Sequence, residues 1–149
     1  MTNVTKQGVE LDLKDLCLVN LDGETEGTRT AVQVGDILIT ITAELGAVAI
    51  TRESVAGAYI NQHLALFRAR GELCDPNYLV NYLATDTAHF QLFVNGQGGI
   101  KQGLGFEEVN NVWAAFPPLG EQTEIGKFCD DDPRRGQRPQ PVSAIRSIR

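Results

Sequence analysis

The 149-residue sequence is poor in the residues that build metal sites and poor in positive charge, with 3 cysteines, 2 histidines and 13 Lys+Arg against 19 Asp+Glu. Cys17, Cys74 and Cys129 are widely spaced, with no CxxC and no Cys/His cluster, so a structural zinc site is excluded as a reading. An odd thiol count without a signal peptide points to reduced cysteines. Cys17 and Cys74 are expected as small core residues. The segment 1–6 has no apolar core behind a basic cluster, so no secretory leader is expected. The most apolar run, Ile37 to Ile50, contains Glu44 and is too short to span a bilayer. These absences predict a cytoplasmic chain without a membrane partner.

Catalytic constellations are missing too. A P-loop needs GxxxxGK[ST], whose backbone N–H groups cradle phosphate. Here Lys101 follows Ile100 and no Ser or Thr comes after it. A dinucleotide fingerprint starting at Gly96 meets Lys101 at its sixth position, and one starting at Gly103 meets Glu108. No nucleophile elbow GxSxG occurs, and Ser54, Ser143 and Ser147 lack its neighbours. His63 falls in a predicted strand and His89 in a predicted helix, each without a marked nucleophile or orienting acid. The residues point to a binding or scaffold module rather than an enzyme.

Charge is split along the chain. Residues 1–126 hold 7 basic and 16 acidic side chains, while residues 127–149 hold 6 basic and 3 acidic ones. An acidic body of this kind excludes a generic nucleic-acid binder, which is basic throughout. Five of the nine arginines, Arg134, Arg135, Arg138, Arg146 and Arg149, fall in the last sixteen residues.

Local pattern predicts an α+β domain. Asp22-Gly23 marks a turn. Ile37 to Thr42 is rich in β-branched residues and reads as a strand, with Ala47 to Thr51 as its hairpin partner around 43–45. A third strand is predicted over Gln62 to Arg68. Asp75-Pro76 is a helix start, with a capping carboxylate and proline at the first position, and Leu79, Val80 and Leu83 supply helical spacing. Asp86 is expected to cap a helix to about Val94. A glycine-rich segment, 95–105, follows. Phe106 to Asn110 reads as a short helix and Val112 to Phe116 as a short strand, with Trp113 and Phe116 in the core. Pro117-Pro118 ends it, and another helix starts near Gly120. From Asp130 the sequence turns to an Arg/Gln/Pro mixture that reads as a disordered tail.

Five segments in order carry a resemblance. They are Val34 to Gly46; Ala58 to Arg68, similar to an "INQH.ALVR" strand; Asp75 to Leu83, similar to a "P.YL..YL" helix; Gly98 to Leu104, similar to a "GGT..GL" loop; and Pro117 to Ile125, similar to a "PPL.EQ..I" junction. Over roughly residues 30–128 the chain resembles the target recognition domain of the specificity subunit of type I restriction-modification systems. The resemblance implies a single α+β target-recognition module with a small sheet, short helices and a truncated C-terminal spacer helix. It implies 1–29 as a shortened N-terminal portion, 30–120 as the recognition core, 121–129 as the start of the spacer helix and 130–149 as the tail. The family departs from this chain in having two such domains and a longer spacer helix. The change after Cys129 reads as translation out of an original frame.

The resemblance further implies recognition of double-stranded DNA without chemistry or cofactor in this chain. Its partners would be a modification (methyltransferase) subunit, which methylates adenine from S-adenosylmethionine, and a restriction subunit. For DNA contact the chemistry of the side chains nominates Thr40, Thr42, Arg52, Asn61, Gln62, Gln97, Lys101 and Gln102, with Arg68 and Arg70 as further cations. The alternative is an interaction module that binds a modification subunit, or a second copy of itself as a homodimer, without independent DNA binding.

Overall fold

Ile37, Ile39, Val48 and Ile50 are β-branched residues that bury well on a pleated surface, and they set the centre of the fold. The structure is a computed structural model that describes residues 3–17, 30–42, 44–94 and 104–132. Strands β1 (Ile37–Thr40), β2 (Val48–Ile50) and β3 (Leu64–Phe67) form one sheet in the order β2-β1-β3. Both pairings are antiparallel, with Ile39 opposite Val48 on one side and Ala65 on the other. Every residue of β1 and β2 is buried, so apolar residues run continuously instead of alternating.

The reason is a sheet covered on both faces. Ile37, Ile39, Val48, Ile50 and Ala65 pack with Val9, Leu79, Val80, Leu83 and Ala88. Leu38 and Ala49 point the other way, into a second cluster with Val4, Val32 and Ala47. The N-terminal segment thus supplies core to both faces, and the Ile50 amide donates to the Val9 carbonyl at 2.9 Å.

Helix α1 (Pro76–Leu83) starts as its sequence predicts. The Asp75 carboxylate accepts from the amides of Asn77 at 2.9 Å and Tyr78 at 3.1 Å. Helix α2 (Asp86–Val94) has the predicted span, but its capping oxygen is the hydroxyl of Thr85, which accepts from the Ala88 amide at 3.3 Å. Helices α3 (Phe106–Asn110) and α4 (Leu119–Asp131) follow.

Residues 112–116 are extended but join no strand. Side chains of α1 and α2 take the place of a partner strand. The Tyr82 hydroxyl donates to the Trp113 carbonyl at 2.8 Å, and the Tyr78 hydroxyl to the Ala115 carbonyl at 2.6 Å. The Gln91 amide pairs with both backbone groups of Trp113, at 2.8 and 3.0 Å. Val112 and Ala114 are half-buried, while Trp113 between them is exposed. Trp113 is 80% exposed and Phe116 55% exposed, which corrects the expectation that both are core. Cys17 is likewise exposed, whereas Cys74 is buried as expected.

Helix α4 is fastened to α1 by one amide. Gln122 is 1% exposed; its Oε1 accepts from the Asp75 amide at 3.0 Å, and its Nε2 donates to the carbonyls of Pro117 at 2.8 Å and Leu73 at 3.2 Å. One turn later, Gly126 lets the helices touch: a Cβ there would lie 3.0 Å from Asn77 Cβ and 3.1 Å from the Tyr78 nitrogen. Substituting Gln122→Ala leaves the Asp75 amide and the Leu73 and Pro117 carbonyls without this partner and is expected to cost about 1–3 kcal/mol in urea unfolding. Burial, and secondarily the charge of Asp75, push the Cys74 thiol up to about 11. Iodoacetamide at pH 8, followed by mass spectrometry, is therefore expected to modify Cys17 well before Cys74 in the folded chain.

Candidate nucleic-acid interface

The two ends of the sheet differ in kind. At one end stand Asp36, just before β1, Thr51, just after β2, and Arg68, just after β3. Asp36 is 1% exposed, and Arg68 closes on it through two nitrogens, each at 2.7 Å from a carboxylate oxygen. The Gln33 amide adds a third bond to Asp36 at 2.7 Å, and the Thr51 hydroxyl bonds the Gln33 carbonyl. The hydrogen bond to Asp36 raises the Arg68 guanidinium above its ordinary range, against the opposing effect of burial. This cation is committed to the fold.

Arg52 is committed in the same way. It bridges Glu10 at 2.8 Å and the Asn77 side chain at 2.9 Å, with Asp130 at 3.6 Å. Hydrogen bonding to Glu10 raises it, partly offset by burial, and the charges of Glu10 and Asp130 add to the rise. Its bonds join the N-terminal segment, α1 and α4. Thr40, the last residue of β1, faces the core at 0% exposure. Its hydroxyl bonds the Glu44 carbonyl and accepts from the Ala47 amide at 2.9 Å, which shapes the β1–β2 turn. Gly46 completes that turn at φ +75°, pressed on the His89 ring beneath it. Arg70 is exposed beyond β3.

The opposite end of the sheet carries hydroxyl, amide and imidazole groups, beside the exposed Glu44 of the β1–β2 turn. Thr42 lies just past β1, and Asn61, Gln62 and His63 lead into β3, all three exposed. Thr42 Oγ1 and His63 Nδ1 are 2.9 Å apart. The His63 amide donates to Asn61 Oδ1 at 3.0 Å, and the Ile41 amide to the His63 carbonyl at 3.0 Å. Leu104, near the end of the glycine-rich segment, donates its amide to the Ile41 carbonyl at 2.9 Å. The strand ends and the exit of the glycine-rich segment therefore meet at Ile41. Gln97, Lys101 and Gln102 lie outside the described residues. Thr42, Asn61 and Gln62 are brought together; Thr40 lies at the same end but its side chain is buried in the turn, and Arg52 lies at the other end.

Two functional features were missed in the sequence. His63 partners Thr42, a pairing visible only once β1 and β3 are adjacent. Gln122 was quoted as part of the "EQ" junction, but nothing local marked it as buried. No group of three or more His, Cys, Asp or Glu suited to a metal ion occurs among the described residues. Nor does any helix there have the length and apolarity to cross a membrane.

The comparisons with known proteins agree with this architecture. The family of the Type I restriction modification DNA specificity domain matches residues 10–131. The chain belongs to that family. The type I restriction enzyme EcoBI specificity subunit of Escherichia coli is 24% identical over 116 residues, which are 78% of this chain and 24% of that subunit. The HsdS subunit from Thermoanaerobacter tengcongensis superposes with a TM-score of 0.59 at 22% identity, over 71% of this chain and 28% of its own. A chain from a structure of type I R-M system assembly and conformational transition gives 0.60 at 22% identity, over 67% and 26%. The chain thus spans about a quarter of the length of these relatives. The specificity-domain fold is α+β, as the sequence predicts.

The two ends of the sheet should respond differently to mutation. Arg68→Ala leaves the buried Asp36 carboxylate short of two bonds and is expected to cost about 2–3 kcal/mol in chemical denaturation, moderated by the guanidinium's partial exposure. Arg70→Ala is expected to leave stability within about 0.5 kcal/mol of the parent.

Proposed function

We propose that this specificity-domain chain is a non-catalytic reader of double-stranded DNA within a type I restriction-modification assembly. The observation that carries the reading is the convergence of Thr42, Asn61 and Gln62 with the exit of the glycine-rich segment at one end of the sheet. Asn and Gln side chains offer a donor and an acceptor side by side, the pattern that adenine displays in the major groove. Threonine hydroxyls and backbone amides suit phosphate oxygens. Gln97 and Gln102, with Lys101 as the phosphate cation, extend this set from the glycine-rich segment. Thr40 and Arg52 leave the contact set, because their polar atoms serve the fold.

The partners in this reading are the modification (methyltransferase) subunit and the restriction subunit. Two cations of the body, Arg52 and Arg68, are held in ion pairs, so few remain to displace counterions from DNA. Affinity must then come from additional protein surface. The exposed aromatics Trp113, Phe116 and Phe128 favour a second reading, in which the chain is chiefly a docking module for a modification subunit. The segments 1–29 and 130–149 are read as the ends around the recognition core, with Val4 and Val9 packing into it, and the frame change proposed for the tail starts at Asp130, which with Asp131 still belongs to α4.

Fluorescence anisotropy with mixed-sequence duplex DNA tests the first reading. The intact chain is expected to bind with Kd in the range of about 1–100 µM at physiological salt, tightening as salt is lowered. An Asn61→Ala/Gln62→Ala variant is expected to weaken binding about tenfold with the same unfolding midpoint. Absence of DNA binding at low salt, together with co-purification with a modification subunit, would favour the docking reading instead.

A further inference from the structure

Resting on the DNA-reading assignment, we propose that His63 hydrogen-bonds to duplex DNA and that Thr42 is the positioning residue that aims its imidazole. The backbone of His63 is fixed on both sides, its amide by Asn61 Oδ1 at 3.0 Å and its carbonyl by the Ile41 amide at 3.0 Å. Its ring is fixed as well, with Nδ1 2.9 Å from Thr42 Oγ1. Nε2 has no partner among the described residues.

An exposed side chain gains little stability from such a bond, because water would serve equally well, while holding the rotamer costs entropy. Fixing a surface imidazole is instead the arrangement that lowers the ordering cost of a later contact. The bond to Thr42 points Nε2 away from the threonine, on the same surface as Asn61 and Gln62. A neutral imidazole can donate or accept there, according to its tautomer. The chain's other histidine is used differently: His89 sits part-buried under the β1–β2 turn, with Nε2 3.3 Å from the Leu45 carbonyl and its ring against Gly46.

Having only two histidines makes the test direct. The intact chain, 13C-labelled at the histidine rings and 15N-labelled at its amides, is titrated with mixed-sequence duplex DNA and followed by NMR. The His63 ring signals are expected to shift saturably, while those of His89 stay in place. His63→Ala is expected to weaken duplex binding about fivefold without moving the thermal midpoint. Thr42→Val is expected to give a smaller loss and a diminished ring shift, and Thr42→Ser to restore both. The salt dependence then identifies the kind of contact. A slope reduced by about one unit in His63→Ala assigns an ionic contact to a phosphate, and an unchanged slope a hydrogen bond without charge pairing. Shifts at the Asn61 and Gln62 amides with a motionless His63 ring would overturn this assignment and leave the DNA-reading function standing. No shift anywhere in the chain would overturn both.

Discussion

The carboxylate of Asp36 is the constraint around which the sheet is organised. A charged group at 1% exposure is tolerable only if its oxygens are occupied, and three donors occupy them. Those donors come from Arg68 at the end of β3 and from Gln33 ahead of β1. Thr51, at the end of β2, closes the circuit through the Gln33 and Asp36 carbonyls. All three strands are thereby tied at one end. Their other ends are set by the Thr40 turn and the Ile41–His63 bond, which leaves polar side chains free to face outward there.

This division explains how an acidic chain can carry a nucleic-acid reader. Positive charge near the sheet is paired within the chain, Arg68 with buried Asp36 and Arg52 with Glu10 at the surface. What the opposite end presents is a hydroxyl, two amides and an imidazole, with the exposed Glu44 in the adjoining β1–β2 turn. Neutral amides discriminate between bases but contribute little counterion release. Such a surface favours selectivity over strength. The net negative charge of residues 1–126 is then compatible with reading DNA, provided that other surfaces supply the affinity.

Much of the fold was legible because its signals are local. Asp75-Pro76 marks a helix start wherever it occurs, and Ile37 to Thr40 carries strand character in its own branching. The span of α2 was equally plain, although its cap belongs to Thr85, one residue earlier than Asp86 suggested. What could not be read was the use of each polar residue. Arg68 and Arg52 look like phosphate contacts until the chain brings Asp36 and Glu10 against them across 32 and 42 residues. Thr40 and Thr42 share a residue type and are separated by a single position, yet one closes a turn and the other faces solvent. Trp113 was misplaced for a related reason. Its hydrophobicity suggested burial, but its backbone is held by Tyr82 and Gln91 and the indole is left exposed.

In the proposed reading, the α1–α4 junction would link recognition to assembly in physical terms. Gln122 and Gly126 hold α4 on the start of α1, by two hydrogen bonds to Leu73 and Asp75 and by a helix contact that leaves little room for a Cβ. The same helix presents Ile125 and Phe128 to solvent. Helix α1 in turn packs on the sheet through Leu79, Val80 and Leu83. A partner seated on the outer face of α4 would therefore hold the sheet, and with it Thr42, Asn61, Gln62 and His63, in a defined orientation. Flexible attachment would dissipate that orientation; the buried glutamine and the glycine contact preserve it. The weak electrostatics of the reading end and the rigid mounting of α4 are thus complementary features. A reader that contributes little affinity of its own must be held accurately by the body to which it is attached.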